Sequence, residues 1–140
     1  MSQFKLIPER QYHLDGSIPV DGEILVFGSN LRGRHGAGAA LLAADKFGAI
    51  EGEGIGHFGQ SYALPTKDEY LKPLSLNQIV YGISIFTKYT YSRPDLHFFV
   101  TRVGCGYARY SDEIIAPLFA SAVNCSFPKQ WEDYLEYFQC

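Results

Sequence analysis

The stretch that most restricts the fold runs from Ile24 to Gly48. Ile24–Phe27 is an unbroken apolar run that stops at Gly28, as expected of a strand buried on both faces. Gly28–Gly38 is rich in glycine. Ala39–Phe47 (AALLAADKF) then follows, dense in strong helix formers, with Gly48 as a natural stop. Strand, glycine loop, helix is the order a buried parallel sheet needs.

The rest of the chain keeps the alternation. Met1–Glu23 reads as an irregular lead-in, broken by Pro8, Gly16 and Pro19, with a short strand expected at most over Phe4–Ile7. Ala49–Gln60 is a glycine-rich connection, either flexible or shaped for close backbone approach, and Gly52–Gly59 within it is a lid candidate. Ser61–Leu64 predicts a short strand ending at Pro65. Leu74–Tyr89 carries apolar residues at helical spacing behind Ser75, a good N-cap. Leu96–Val103 is a second strong strand, ending at Gly104-Cys105-Gly106. Ser111 caps a further helical segment. There Pro117 requires either a kink or one turn followed by a new helix. Val123–Phe127 and Lys129–Phe138 predict a last strand and a terminal helix.

No repeat, low-complexity tract or linker divides the sequence, so residues 1–140 read as one α/β domain. Its mostly parallel sheet is covered by helices on both faces. In such sheets ligands bind beyond the carboxyl ends of the strands. The loops Gly28–Gly38, Thr66–Asp68 and Gly104–Tyr110 all follow strands, so they should gather at one edge.

Composition narrows the ligand. The net charge is −3, and no run of Lys and Arg exceeds isolated pairs such as Arg32 and Arg34. Duplex binding needs a basic stripe, so a general nucleic-acid role is disfavoured, whereas one small anion needs only a local cluster of donors. Aromatic residues make up 15% of the chain, which favours a packed core and sticky clefts. Cys105, Cys125 and Cys140 show no zinc or CxxC spacing, and His13, His35, His57 and His97 show no metal-ligand spacing. No metal or cofactor is expected. Met1–Arg10 does not read as a signal peptide and no apolar run approaches a membrane span, so a reduced, cytoplasmic setting is expected.

Three motifs carry chemistry. Gly36, Ala37 and Gly38 precede a helix whose first amides lack partners, a ready site for phosphate or simply a tight turn. Ala39-Ala40 stand where a P-loop needs Lys and Ser or Thr, and Leu41 breaks the dinucleotide fingerprint. Val103–Gly106 is a second candidate anion nest. Cys105 in it is a packing residue unless a base activates it, and Tyr107 is a ribose or base contact or a rim aromatic. Lys67, at a strand end after Thr66, is a phosphate partner, an amine nucleophile or a solvated surface residue.

In combination these segments resemble the macrodomain family of ADP-ribose-binding modules. Val26–Asn30 is similar to the family's V-N-A-A-N stretch, Gly36–Gly38 to its glycine-rich turn, and Val103–Gly106 to its second phosphate loop. The branch containing the terminal ADP-ribose protein glycohydrolase is matched best, through Gly36–Ala40, Thr66-Lys67 and Arg102–Tyr107, in that order. The resemblance spans residues 24–122 and implies a three-layer macrodomain-like sandwich. It also implies that Gly28, Ser29 and Asn30 lie at the ligand, with Asn30 facing the distal ribose. The amides of Gly36, Ala37, Gly38, Gly104, Cys105 and Gly106 would then hold the pyrophosphate, with Tyr107 beside them. Lys67 matches the lysine that attacks the anomeric carbon.

The departures are specific. Ala108 stands where that branch places a catalytic Asp, with Asp68 and Asp112 as substitutes that nothing in the sequence positions. Phe27 replaces the first Asn, and the early G-D-I-T motif is missing from Met1–Glu23. The implied function is binding of ADP-ribose, a related nucleotide or an ADP-ribosylated macromolecule, with no membrane partner. Hydrolysis of ADP-ribosyl groups through Lys67, or a non-enzymatic protein-interaction role, are the alternatives.

Overall fold

Burial is deep along β2 (Glu23–Asn30), where Ile24, Leu25, Val26 and Phe27 are each at most 4% exposed. The computed structural model describes residues 10–106 and 108–137. Before β2 lies β1 (Gln11–His13). After it come α1 (Gly38–Lys46), β3 (Gly56–Phe58), β4 (Ser61–Lys67), α2 (Leu76–Ser92), β5 (His97–Val100), α3 (Asp112–Ile115), β6 (Cys125–Pro128) and α4 (Glu132–Glu136). The six strands form one sheet in the order β1-β6-β5-β2-β4-β3, parallel except for β3. Its two neighbours, β4 and β5, pair with both edges of β2 and leave its two faces to the helices.

Alternation along the strands separates two cores. Ile24, Val26, Tyr62, Leu64, Phe98 and Val100 face α2, α3 and α4, where Phe86, Phe119, Phe127 and Trp131 fill the larger core. Leu25, Phe27, Ala63 and Phe99 face α1 and form the smaller one with Ala43 and Phe47. The result is three layers, helix–sheet–helix. Most of the buried aromatic residues belong to the larger core, as a chain of edge and tilted ring contacts from Tyr62 to Trp131.

The capped helix forms as its sequence dictates. Ser75 Oγ accepts from the Gln78 amide at 3.2 Å and Gln78 Oε1 accepts from the Ser75 amide at 3.0 Å, a full capping box. Gly48, with φ +82, ends α1 as expected. Pro117 resolves to the second alternative: one turn of α3, then a 3-10 turn over Ala116–Phe119 with the proline in its first positions.

Other boundaries differ from expectation. The lead-in contains β1, too short and polar to show a strand pattern, held by parallel pairing to β6; Phe4–Ile7 lies outside the described residues. Strand β4 runs through Pro65 to Lys67. The carbonyl of Gln60 turns toward β2 while Ser61 and Ala63 pair with β3, and a register shift between Ser29 and Asn30 later brings the Lys67 carbonyl back to β2. That alternation turns the Pro65 nitrogen to the outer edge, where β3 has ended and a missing N–H loses no ladder bond. Strand β5 stops at Val100, and the last strand is shifted to Cys125–Pro128. The terminal helix splits into a 3-10 turn, Lys129–Trp131, and α4; Phe138 lies outside the described residues.

Gly52–Gly59 is packed against the first glycine loop. A methyl built on Gly54 would meet the Asn30 carbonyl oxygen at 2.1 Å, and one on Gly33 would meet Gly52 backbone at 2.3 Å. Side chains no larger than hydrogen are what allow this approach. The segment therefore buttresses the loop from below.

Candidate functional site

Because β1, β6, β5, β2 and β4 are parallel, their carboxyl ends share one edge, and the loops leaving them meet there. They meet closely. A methyl built on Gly28 would lie 3.4 Å from Thr66 Oγ1 and 3.7 Å from the Gly104 amide nitrogen. Between them opens a cavity of about 840 Å³, bounded by His13 at the end of β1 and Lys67 at the end of β4. Four strand spacings separate those strands, roughly 19 Å. The cavity is long as well as large.

One wall is the start of α1. Gly36, Ala37, Gly38, Ala39 and Ala40 line it, no side chain caps Ala37, and the first helical hydrogen bond is Leu41 N to Ala37 O at 3.2 Å. The amides before that bond need an acceptor from elsewhere, and the helix dipole makes an anion the best one. The facing wall is Gly104–Gly106, where Gly104 has φ +80 and packs against Ile115. Arg34, Lys67 and Arg102 also line the cavity; Asp15 is the one carboxylate among its described lining residues. A chain of net charge −3 thus gathers positive charge at this place.

A comparison of sequences adds nothing: no protein-family model matches the chain, and no curated protein does. Comparison of structures does. The macrodomain of Mycobacterium tuberculosis DarG aligns with a TM-score of 0.65 at 17% identity, covering 86% of this chain and 97% of that one. The fold is macrodomain-like.

Within this macrodomain-like fold the expected site residues fall into three groups. Gly28, Gly36, Ala37, Gly38, Lys67, Gly104, Cys105 and Gly106 line the cavity. Ser29 does not: it is 1% exposed and its hydroxyl donates to the Gly54 carbonyl at 2.5 Å. Asn30 lines the cavity but is 4% exposed, and both ends of its amide are engaged by Arg34, Nδ2 donating to the carbonyl at 2.9 Å and Oδ1 accepting from the amide at 3.0 Å. It closes the loop that presents Arg34. Tyr107 lies outside the described residues.

The chemistry of individual groups follows from their neighbours. Burial, reinforced by the negative charge of Asp112, pushes the Cys105 thiol up to about 12, so it is no poised nucleophile. Ala108 is buried at the cavity wall. The two substitute carboxylates are committed elsewhere. Asp68 accepts from the amides of Tyr70 at 2.8 Å and Lys72 at 2.9 Å, and Asp112 binds Arg102 and Trp131. Neither lines the cavity. His35 is buried under the first loop, its Nε2 facing the carbonyls of Ile50 and Glu53, so that nitrogen carries the proton and anchors the loop. Among the described residues no group of three or more His, Cys, Asp or Glu side chains could hold a metal ion, and no helix is long and apolar enough to cross a membrane.

Sequence reasoning missed the β1 end of the site. His13 stacks on Phe99 with ring centroids 3.7 Å apart and hydrogen-bonds Ser126 through Nδ1. Burial lowers its pKa, which keeps the imidazole neutral. Asp15 and Ser17 sit beside it on the cavity wall. No local signal marks a three-residue edge strand, so these residues could not be joined to β5 before the topology was known.

Proposed function

We propose that the chain binds ADP-ribose or a closely related nucleotide in the cavity across the strand ends. The observation that carries this reading is the convergence of two glycine-lined walls on one long cavity edged by Arg34, Lys67 and Arg102. A pyrophosphate placed between them accepts from the uncapped amides of α1 and from the Gly104–Gly106 loop, with glycine removing the steric barrier to close approach. The His13 and Phe99 end, apolar in its ring faces and with an Asp15 carboxylate as acceptor, suits a flat nitrogenous base that carries an amino group. The Lys67 end then receives the second sugar. The resemblance of the motifs and the fold shared with the DarG macrodomain point the same way.

A hydrolase reading rests on Lys67 at the wall of the cavity. It lacks the carboxylate that its family places at position 108, and Asp68 and Asp112 are occupied by other partners. Binding therefore stands ahead of turnover.

Calorimetric titration with ADP-ribose, against AMP and NAD, tests the proposal. Selective micromolar binding is expected, and ligand at 100 times its Kd should add about 2.7 kcal/mol to stability. No heat and no thermal shift with any of the three would refute it and favour a protein-interaction role. Lys67→Ala separates binding from hydrolysis, since turnover that disappears while affinity persists would establish the enzyme.

A further inference from the structure

Arg102 enters the cavity wall from the turn after β5, and its guanidinium is gripped on one side. Nε donates to Asp112 Oδ1 at 3.0 Å and one terminal nitrogen donates to Asp112 Oδ2 at 2.7 Å, a bidentate pair. Two of the five guanidinium protons are used this way, and the edge formed by the two terminal nitrogens keeps the rest. That edge forms an ion pair with Asp15 at 3.6 Å, too long for a hydrogen bond, and the side chain stays 35% exposed.

Asp112 does more than pair with one cation. Its Oδ1 also accepts from Trp131 Nε1 at 2.7 Å. Trp131 is fully buried and is the chain's single tryptophan. Burial works to raise the Asp112 carboxyl, but the hydrogen bonds from Arg102 and Trp131 outweigh it and hold the group below its ordinary value. The carboxylate is thus a junction between the core and a cavity cation.

We propose that Asp112 is a positioning residue for ligand binding, fixing Arg102 on the cavity wall as the cation that meets the ligand's phosphates and tying it to the indole of Trp131. This rests on the reading of the cavity as a nucleotide site. An arginine held in one geometry has already lost the rotamer freedom that binding would otherwise remove. The sign of the effect separates this role from plain electrostatics. Asp112 carries negative charge beside an anion site, so if field alone mattered, neutralising it would tighten binding. If orientation matters, neutralising it weakens binding. A merely structural role leaves the affinity of the folded protein where it was.

Titration of the wild type, Asp112→Asn, Arg102→Gln and the double variant with ADP-ribose decides the matter. Each single variant is expected to raise Kd by about tenfold, and the double variant by no more than Arg102→Gln alone, because the two residues act as one unit. Trp131 emission is the second readout. It should change when ADP-ribose saturates the wild type and stay constant when it saturates Arg102→Gln, a variant that leaves the Asp112–Trp131 bond in place even should Asp112→Asn fold poorly. Asp112→Asn binding as tightly as the wild type or more so, losses that multiply in the double variant, or an emission change in Arg102→Gln as large as that of the wild type would each overturn the proposal. An absence of wild-type binding would instead overturn the nucleotide reading, and this inference with it.

Discussion

Two glycines of the first site layer should respond to the same substitution in opposite ways. Gly54 lies beneath the loop, and a methyl there would sit 2.1 Å from the Asn30 carbonyl oxygen, against backbone that cannot rotate away. Overpacking of this kind costs about 1–3 kcal/mol. Displacing the Gly54 carbonyl also loses the bond from Ser29, worth about 1 kcal/mol. Gly54→Ala should therefore destabilise the protein by about 2–4 kcal/mol. With unfolding entropy near 2.1 cal/mol/K per residue over a chain of this length, Tm should fall by roughly 7–14 °C. Gly36, by contrast, lines the cavity and has nothing within 4 Å of the added methyl, with no strained φ. Gly36→Ala should leave Tm within about 2 °C of wild type, since substitutions that disturb no contact stay near ±0.5 kcal/mol. It should nevertheless weaken ADP-ribose binding, because the methyl enters the space beside the helix amides. Differential scanning fluorimetry with and without ligand reads both effects. A Gly54→Ala protein melting like the wild type would refute the buttress argument. A Gly36→Ala protein with normal affinity would refute placement of phosphate at the start of α1.

Other tests bear on separate elements. Ser75→Ala removes the capping box of α2 and should cost about 1 kcal/mol in urea unfolding; no change in midpoint would mean the cap is dispensable. Cys105, with its thiol pushed up to about 12, should alkylate at pH 8 at least about tenfold more slowly than a solvent thiol, read by mass spectrometry; rapid labelling would contradict the half-buried thiol held against the Val103 carbonyl. The lowered Asp112 carboxyl stabilises the fold fully above its unfolded value of about 3.9 and loses that contribution as pH falls through the lower native value. Asp112→Asn should therefore flatten the acid limb of stability against pH, and an unaltered limb would remove Asp112 from the balance.

Local chemistry decided what could be read from the sequence. Ile24–Phe27, the Ala- and Leu-rich helix after Gly38 and the Ser75 cap each carry their own signal, and each forms within a few residues of its expected position. The convergence of Gly28, Lys67 and Gly104 was also legible, because parallel strands must end at a common edge. What failed to show depends on distant partners. Strand β1 exists through its pairing with β6 across more than a hundred residues. The bond from Ser29 to Gly54 takes one expected contact away from the cavity, and Asn30, which does line it, is braced to Arg34. Asp112 sits in a first helical turn, where a carboxylate needs no further explanation, and only the folded chain brings Arg102 and Trp131 to it.

The uneven division of the core has a dynamic consequence. Leu25, Phe27, Ala43, Phe47, Ala63 and Phe99, with a few partly buried small residues, hold α1 to its face, while α2, α3 and α4 share the much larger cluster around Phe86 and Trp131. Opening the α1 side exposes less apolar surface than opening the other, so it should be the first cooperative unit to exchange its amide hydrogens. The uncapped amides at the start of α1 belong to that weaker unit. A nucleotide spanning from them to the Gly104–Gly106 loop would clasp the labile layer to the rigid one. Hydrogen exchange in the presence of ligand should therefore slow most at Gly38–Lys46, well beyond the residues the ligand touches.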